Sequence, residues 1–307
     1  MNIVLLAGGV GGAKLAEGLA ALVPPEQLTI IGNTGDDFTH CGLPISPDLD
    51  TVMYTLAGVA NVETGWGRVG ESWRTISEVA NLGGPDWFRL GDLDLATHLT
   101  RAHLLAQGGH LTQVTRQLCQ QLGVQHPLLP MSNQAAPTLV ETDEGILPFQ
   151  TWFVQKRWQP VVRQIILPEN VQATHAAAAA LEKADLILIA PSNPFVSINP
   201  ILNVYPIREL LADSAGMVMA VTPIIAGEAV KGPTAKMMRE MNLPVTPESI
   251  VLFYEGLIDA FVYDVQDKGV LDHLDIPHLC TNTWMQTRED RLRLAQEILT
   301  FGQSFSR

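Results

Sequence analysis

The strongest constraint on the fold of this chain is its first element, an apolar run that leads directly into a glycine-rich loop. Residues 2–7, NIVLLA, are typical of a buried strand, residues 8–14 read GGVGGAK, and residues 15–22 have the apolar periodicity of a helix. Glycines let backbone N–H groups approach a ligand, and a helix N-terminus attracts negative charge. The sequence therefore predicts an α/β fold with a phosphate-binding loop. The candidate residues are Gly8, Gly9, Gly11, Gly12 and Lys14.

This loop departs from both common nucleotide-binding motifs. Ala13 stands where a Walker A loop needs its second glycine, and Leu15 stands where it needs Ser or Thr. Lys14 replaces the last Gly or Ala of the dinucleotide fingerprint, and an acidic cluster replaces the single ribose-binding acid. A nicotinamide enzyme is therefore disfavoured. A plain strand-to-helix turn is the alternative, but glycines followed by a lysine favour phosphate binding.

A second polar segment, residues 33–54, lies between an apolar run and a further periodic segment. This places it at the carboxyl edge of the predicted sheet, where open α/β folds bind their ligands. It carries the acids Asp36, Asp37, Asp48 and Asp50. Carboxylates this close raise one another's pKa unless a positive group compensates, and a divalent cation is the common compensator. The alternative is a solvated loop in which Asp50 caps a helix that begins at Thr51.

The stretch after the acidic segment is rich in aromatic residues and glycine. Trp87 and Phe88 could form a flat wall for a planar ligand, although large aromatic side chains more often simply pack. Arg89 is a candidate partner for the acids or for phosphate. His98 and His103 are five positions apart, which is not the i, i+4 spacing of a shared metal face, so neither is assigned as a ligand.

Two β-rich runs around the turn at residues 143–145 predict a hairpin. We interpret residues 65–165 as an α+β insertion into a Rossmann-like core made of residues 1–64 and 166–307. The core is predicted to be a parallel sheet flanked by helices. The insertion would cover the ligand, since enclosed sites often lie between a core and an added layer.

The core resumes with two more strand-to-loop transitions. The apolar run at residues 185–190 ends in Ser192 and Asn193, whose short polar groups suit a base or ribose. The next apolar run leads to a glycine-bearing loop with Lys231 and Lys236, a second candidate phosphate contact. Turn chemistry explains the first pair as well, and two solvated lysines would explain the second.

Charge and composition exclude several classes of protein. The net charge of -13 argues against a general nucleic-acid binder, and it requires local groups or a metal to hold any anionic ligand. Cys41, Cys119 and Cys280 are odd in number and widely spaced, so we expect a reducing compartment rather than disulfides. No apolar run in the sequence reaches the roughly 18 residues of a membrane helix. The expectation is a soluble cytoplasmic protein that does not bind membranes.

Five motifs in order resemble the 2-phospho-L-lactate transferase family, which makes the deazaflavin coenzyme F420. They are LLAGGVGGAKLAEGL, NTGDDFTHCGLPISPDLDTVMYTLAG, WFRLGDLDLATHLTR, LIAPSNPFVSINPIL and TPIIAGEAVKGPTAKM. The resemblance implies transfer of a phospholactyl or phosphoenolpyruvyl group from a guanosine-diphosphate-linked donor to the ribityl 5′-hydroxyl of the deazaflavin Fo. The products would be F420-0 or its dehydro form and GMP. It also implies a requirement for Mg²⁺ and a homodimer.

The resemblance assigns roles residue by residue. The carboxylates implied to be catalytic are Asp50 and Asp37, with Asp50 favoured as acceptor ligand and general base. The implied contacts of Fo are Asp50, Arg89, Trp87 and Phe88. The implied metal ligands are Asp36, Asp37, Asp48 and Asp50. The implied nucleotide and phosphate contacts are Gly8, Gly9, Gly11, Gly12, Lys14, Asn33, Ser192, Asn193, Lys231 and Lys236. We expect Asp50→Asn to abolish turnover without unfolding the chain, because a polar substitution of equal shape in a surface loop has no reason to destabilise the fold.

The alternative is a non-catalytic protein. A related bacterial family of nucleotide-sugar-binding regulators, known from gluconeogenesis and cell-wall metabolism, shares the glycine loop and an Asp-Asp element. The DLDT and WFRLGD elements of this sequence are not part of that family's pattern. Their presence favours the transferase.

Overall fold

A parallel β-sheet of seven strands forms the centre of the molecule. The computed structural model describes residues 1–305. Its strands are β1 (Ile3–Ala7), β2 (Leu28–Gly32), β3 (Phe38–His40), β4 (Leu43–Ile45), β5 (Leu128–Pro130), β6 (Leu139–Thr142), β7 (Gly145–Pro148), β8 (Val162–Ile166), β9 (Leu186–Ile189), β10 (Met217–Val221), β11 (Ile224–Ile225), β12 (Glu228–Ala229), β13 (Ala260–Asp264) and β14 (His278–Thr281). The main sheet has the order β14-β13-β10-β9-β1-β2-β5, and all of its neighbouring pairs are parallel. The α/β prediction is confirmed.

Helices cover both faces of this sheet. They are α1 (Gly9–Ala20), α2 (Pro47–Leu56), α3 (Arg74–Asn81), α4 (Asp92–Ala106), α5 (Leu111–Gln121), α6 (His175–Glu182), α7 (Asn199–Leu202), α8 (Ile207–Ala212), α9 (Thr234–Glu240), α10 (Pro247–Phe253) and α11 (Arg288–Gln303). Every residue of β1 is buried, which is why the strand is a continuous apolar run. Leu5 packs into the core layer that contains α1 and α11, whereas Leu6 packs into the opposite layer.

The strand order reverses beside β1. From β1 the chain moves outward in one direction through β2 to β5, and it later returns on the other side of β1 as β9, β10, β13 and β14. The crevice between the loops that follow β1 and β9 is thus the topological switch point. Ligands of open α/β sheets bind at this position, outside the carboxyl ends of the strands.

A separate three-stranded antiparallel sheet has the order β7-β6-β8. It contains the predicted hairpin, β6 and β7, and the strand β8, which pairs with β6. Residues 65–165 are not wholly outside the main sheet, because β5 lies within that range and pairs with β2. β5 is only three residues long, and an apolar run that short is not recognisable as a core strand from sequence. The division of the chain into domains stays a prediction.

Within residues 1–305, no helix is long and apolar enough to cross a membrane.

Candidate active site

A cavity of about 490 Å³ opens at the switch point of the sheet. Its walls come from the loops that follow β1, β2, β9, β10 and β14, together with residues from the segments before α4 and after β7. Parallel strands bring their carboxyl ends to one edge, so polar segments far apart in sequence meet here. Three parts of the wall can be described in turn: the glycine loop, the acids and the aromatic residues.

The glycine loop turns sharply from β1 into α1. Gly9 has a φ of +59°, a conformation that favours glycine, and α1 begins there. A side chain at Gly11 would bring a Cβ atom to 2.3 Å from the carbonyl oxygen of Pro191, so only glycine fits between the loop and the end of β9. The predicted residues Gly8, Gly9 and Gly11 line the cavity, and Gly12 packs behind them against Ser192.

Ser192 and Asn193 also line the cavity, as predicted from sequence. The Ser192 hydroxyl donates a hydrogen bond of 2.6 Å to the Gly8 carbonyl and accepts one of 3.3 Å from the Gly8 N–H. The Asn193 side chain accepts a hydrogen bond of 2.9 Å from the Phe195 N–H. The Ser192 bonds fix the loop after β9 against the glycine loop, and the Asn193 bond fixes that loop internally, so both residues shape this part of the cavity.

Two of the predicted lysines lie on the cavity wall. Lys14 donates to the Met285 carbonyl at 2.6 Å, and burial and the nearby Arg291 lower its pKa. Lys231 donates to the Thr64 carbonyl at 2.8 Å, and burial lowers its pKa as well. Both ammonium groups are held by a neutral carbonyl and are partly desolvated, which strengthens their attraction for an anion.

The third predicted lysine points elsewhere. Lys236 forms an ion pair of 2.6 Å with Glu240 and donates to the Pro160 carbonyl at 3.1 Å. Its ammonium also lies 5.8 Å from the centre of the Trp152 ring. These contacts explain its position without a phosphate.

Asp48 faces the glycine loop from the first turn of α2. It accepts hydrogen bonds from the Asn33 amide, at 2.9 Å, and from the Gly9 N–H. Despite these bonds, burial raises the pKa of Asp48 to about 6. Asn33 itself is fully buried, so the structure gives it the role of holding Asp48 rather than a position on the cavity wall.

Asp36 and Asp37 belong to the same group of acids. Asp36 lines the cavity, and Asp37 lies behind it, where it accepts a hydrogen bond of 2.8 Å from Ser46. Burial is the main reason why the pKa of each is raised well above its usual range, and the other nearby acids raise it further. Within residues 1–305, one oxygen of Asp36 and one of Asp37 are buried without a hydrogen-bond partner.

These acids fit a divalent cation. The unpartnered buried oxygens of Asp36 and Asp37 are costly to leave without a partner, and a divalent cation would satisfy them. Oxygen ligands of this kind are those that Mg²⁺ prefers. Asp36 and Asp48, which line the cavity, are the residues best placed to hold it, with Asp37 close behind. The predicted Mg²⁺ stays a prediction.

Asp50 lies on a different side of α2. It is 4% exposed, and its Oδ1 forms an ion pair with Arg101 of α4. The alternative in which Asp50 caps a helix that begins at Thr51 is wrong, because α2 begins at Pro47 and its N-cap is Ser46. The surface-loop position assumed for Asp50 is wrong as well. Its predicted roles as metal ligand, acceptor ligand and base stay predictions.

The sequence analysis missed the residues of α4 that face Asp50. Asp94, His98 and Arg101 are all buried and lie at i, i+4 and i+7, which is one face of a helix. Tyr54, one turn after Asp50 on α2, donates a hydrogen bond of 2.7 Å to Asp94. The i, i+4, i+7 spacing of these three residues indicates a shared helix face, whereas the five-residue spacing of His98 and His103 does not.

An aromatic group forms one wall of the cavity. Trp87 and Phe88 line the cavity and pack against Phe38 and His40 of β3, with ring centres 4.8 Å apart for Phe38 and Phe88 and 5.2 Å apart for His40 and Trp87. Arg89 also lines the cavity, and its guanidinium lies 5.7 Å from the centre of the Trp73 ring. The structure thus brings together the predicted residues Trp87, Phe88 and Arg89.

A second apolar surface comes from the segment after β7. Phe149 and Phe153 line the cavity and stack with ring centres 5.3 Å apart. Between them, the Gln150 amide donates to Asp36 at 3.3 Å, so this segment touches the acids directly. Sequence analysis gave these residues no role, since a Phe-Gln pair after a hairpin carries no motif.

The fold and the cavity define a Rossmann-like α/β protein with a glycine loop, buried acids and an aromatic wall around one site. The family model described as 2-phospho-L-lactate transferase CofD matches residues 3–286. The chain belongs to this family, and the prediction of a transferase is confirmed.

Individual relatives agree with the family match. A phosphoenolpyruvate transferase from Kitasatospora aureofaciens is 43% identical over 278 residues, which cover 87% of this chain and 86% of the relative. A 2-phospho-L-lactate transferase from Methanospirillum hungatei is 38% identical, with 97% and 99% covered. A crystal structure of a UPF0052-family protein from Bacillus halodurans has a TM-score of 0.65 at 16% identity over 97% of this chain and 98% of that one, which shows a shared fold alone.

Proposed function

We propose that this protein transfers a phosphoryl-linked three-carbon acid from a guanosine-diphosphate-linked donor to the 5′-hydroxyl of the deazaflavin Fo, with release of GMP and with a requirement for Mg²⁺. The observation that carries the proposal is the composition of the cavity. A glycine loop with two lysines lies on one side, an aromatic wall lies on the other, and buried acids with unpartnered oxygens lie between them. A diphosphate, a planar ring and a metal would each find suitable groups.

In the proposed reaction, the acceptor's hydroxyl oxygen attacks the phosphorus that carries the three-carbon acid. A new P–O bond forms, the P–O bond to the GMP phosphate breaks, and the hydroxyl proton passes to a carboxylate. The backbone N–H groups of the glycine loop would bind the diphosphate, and Lys14 and Lys231 would offset its negative charge. Mg²⁺, held by Asp36 and Asp48, would supply further charge stabilisation as GMP leaves.

The proton acceptor is proposed to be Asp37 or Asp50. A raised pKa suits this role, because a base works best when its pKa lies near the operating pH. Burial and neighbouring acids raise the pKa of Asp37 in this way. The Asp50 carboxylate has one oxygen, Oδ2, that no donor among residues 1–305 contacts.

The test is an assay with purified protein, Fo and Mg²⁺, in which phospholactyl- and phosphoenolpyruvyl-guanosine donors are supplied separately and the products are identified by mass spectrometry. We expect Fo to gain a phosphodiester-linked three-carbon acid and GMP to be released. Relatives named for each of the two acids match this chain, so both donors are needed. A protein that forms no product with either donor but binds a nucleotide sugar tightly would overturn the proposal.

We further propose that the protein is a cytoplasmic homodimer. The family resemblance supports the dimer, and three cysteines without a disulfide support a reducing compartment. Light scattering of the purified protein would measure the mass. A mass of one chain at micromolar concentration would contradict the dimer.

A further inference from the structure

Helices α2 and α4 meet through a continuous row of buried polar side chains. Asp50 and Tyr54 lie one turn apart on α2, and they face Asp94, His98 and Arg101 on α4. The side chain of Arg101 is 2% exposed, which is rare for a guanidinium unless several partners hold it. It contacts Asp50 Oδ1, the ring of His98, and the Pro44 carbonyl at 3.5 Å.

The hydrogen bonds of this row define the tautomer of His98. The Arg101 guanidinium lies 2.9 Å from His98 Nδ1, and because a guanidinium can only donate, Nδ1 must accept. The ring proton of His98 is then on Nε2, which lies 3.3 Å from Asp94 Oδ1. Asp94 also accepts a hydrogen bond from Tyr54. His98 is therefore held by Arg101 at Nδ1, and its Nε2 faces the Asp94 carboxylate.

The contacts of His98 argue against its imidazole as a metal ligand in this row. One ligand atom each from Asp50, Asp94 and His98 lies within 4.8 Å of the others, a spacing that could hold an ion. A metal would need a free imidazole lone pair, but Arg101 occupies Nδ1 and the proton occupies Nε2. The positive charge beside Asp50 is thus the permanent charge of Arg101.

One partner of Arg101, Pro44, connects it to the aromatic wall of the cavity. Asp50 belongs to α2, and Pro44 belongs to β4, which pairs with β3. β3 carries Phe38 and His40, the residues that pack against Trp87 and Phe88. The contacts of the nucleotide side, which are those of the glycine loop, Ser192 and Lys231, involve other residues.

We propose that Arg101 is a positioning residue for acceptor binding: it clamps α2 to the β3–β4 hairpin and thereby holds Asp50 and the aromatic wall in one arrangement. The guanidinium takes Oδ1 of Asp50, while Oδ2 is buried without a hydrogen-bond partner among residues 1–305 and lies 3.7 Å from His98 Nδ1. This inference rests on the proposed function, since it takes the aromatic side to be the acceptor side. Arg101 acts through Asp50 and the hairpin and does not touch the substrate.

The experiment compares acceptor binding with donor kinetics. Binding of Fo to the wild-type protein, Arg101→Met and Arg101→Lys is measured by deazaflavin fluorescence without donor, and steady-state constants are measured for both substrates. We expect Arg101→Met to raise the Kd of Fo about tenfold or more and to leave the KM of the guanosine donor within about twofold. Arg101→Lys keeps the charge but loses the planar guanidinium that reaches Asp50 and His98 together. The Kd of Fo for this variant should therefore lie between those of the wild-type protein and Arg101→Met.

The matched control is Arg291→Met. Arg291 of α11 pairs with Glu17 of α1, another ion pair between helices, and its removal should leave the Kd of Fo within about twofold of wild type. The effect of Arg101→Met on the Kd of Fo is also measured in the Asp50→Asn protein. It should be much smaller there than in the wild-type protein, because the two residues act as one unit.

The outcomes separate this inference from the proposed function. If the wild-type protein binds Fo and turns over, but Arg101→Met raises the Kd of Fo and the KM of the donor equally, Arg101 is merely structural and the inference fails alone. If Arg101→Met does not fold, Arg101→Lys decides, and an unchanged Kd in that variant overturns the inference. A wild-type protein that binds nucleotide but neither binds nor modifies Fo overturns the proposed function and this inference with it.

Discussion

On the cavity face of α2, Asp48 accepts hydrogen bonds only from neutral groups, whereas two positions later Asp50 faces α4 and lies against a guanidinium. Both acids are in the first turn of the same helix, where the helix dipole favours negative charge. Both are almost fully buried. Burial raises the pKa of Asp48 to about 6, while Asp50 has a permanent cation beside it.

This difference between Asp48 and Asp50 indicates which face of α2 depends on a ligand. The cavity face, with Asp48 and the neighbouring acids, has more buried negative charge than the chain neutralises. On the α4 face, Asp50 has Arg101 as an internal cationic partner, and Asp94 accepts a hydrogen bond from Tyr54. Four predictions, in order of decreasing effect on the free energy of unfolding, test this contrast.

The largest effect is expected for Asp50→Asn. The substitution leaves Arg101 buried without its carboxylate, and breaking a buried pair in this way costs about 3–5 kcal/mol. Urea unfolding of the metal-free protein measures the loss. The expectation drawn from sequence, that this change would not affect folding, assumed a surface loop and is replaced by this one.

Asp48→Asn is the matched control for that prediction, because it changes the same chemical group on the other face of α2. It removes a carboxylate whose charge is disfavoured by burial, so the metal-free protein should keep or slightly gain stability. A loss of stability equal to that of Asp50→Asn would show that the two faces do not differ.

Gly8→Ala should have the next largest effect. The new Cβ atom would lie 2.6 Å from an oxygen of Asp48 and 2.7 Å from Cβ of Ser197, so the cavity face of α2 must shift. Overpacking of this kind costs about 1–3 kcal/mol, and turnover should fall further because the loop and the acid move apart. Gly302→Ala is the comparison, since its nearest contact would be an ordinary 3.4 Å; a similar loss there would contradict the explanation.

The third prediction concerns pH. Asp36, Asp37 and Asp48 have a higher pKa in the folded protein than in the unfolded chain, so the folded state binds more protons and stability falls as pH rises through these pKa values. For Asp48 alone, the metal-free protein should be on the order of 1–2 kcal/mol more stable at about pH 5 than at about pH 7.5.

Thermal unfolding at the two pH values measures this, with Asp48→Asn as the variant that should have a smaller slope. Added Mg²⁺ should stabilise the protein more at the higher pH, where the carboxylates are charged and can bind it. A metal effect that is independent of pH would argue against these acids as the metal site.

The smallest effect is expected on the α4 face, from Tyr54→Phe. The change removes the 2.7 Å hydrogen bond to Asp94 but leaves His98 as the partner of that carboxylate, so the cost should be about 1 kcal/mol. Urea unfolding measures it. The Kd of Fo should not change beyond about twofold, because Arg101 keeps its contacts with Asp50 and Pro44.

Much of the molecule could be predicted from local patterns. The parallel core follows from buried apolar runs, and the glycine loop follows from the strand-to-helix transition at residues 7–14. The meeting of Ser192 with Gly8 follows from the rule that parallel strands share their carboxyl edge. Trp87, Phe88 and Arg89 line the same cavity. Their position could be predicted only because the WFRLGD motif resembles that of a known family.

The direction of individual side chains could not be predicted in the same way. Asp48 and Asp50 are equivalent in a one-dimensional pattern, and only the packing of α2 against α4 separates them. The position of Lys236 depends on Glu240, one helical turn later, which competes for the same ammonium. The short strand β5 joins the sheet because Leu128 is buried there, which no three-residue pattern reveals.

The position of β1 in the middle of the sheet has a consequence for the order of assembly. Gly8 and Ser192 are hydrogen-bonded neighbours on the cavity wall, yet they are 184 residues apart in the chain. During synthesis, the N-terminal loop therefore leaves the ribosome long before its partner strand β9 exists. Contacts of such long sequence separation carry a large loop-closure entropy and form late. We expect the nascent chain to complete this part of the cavity only after β9 has been translated, so truncated products that end before β9 would lack it.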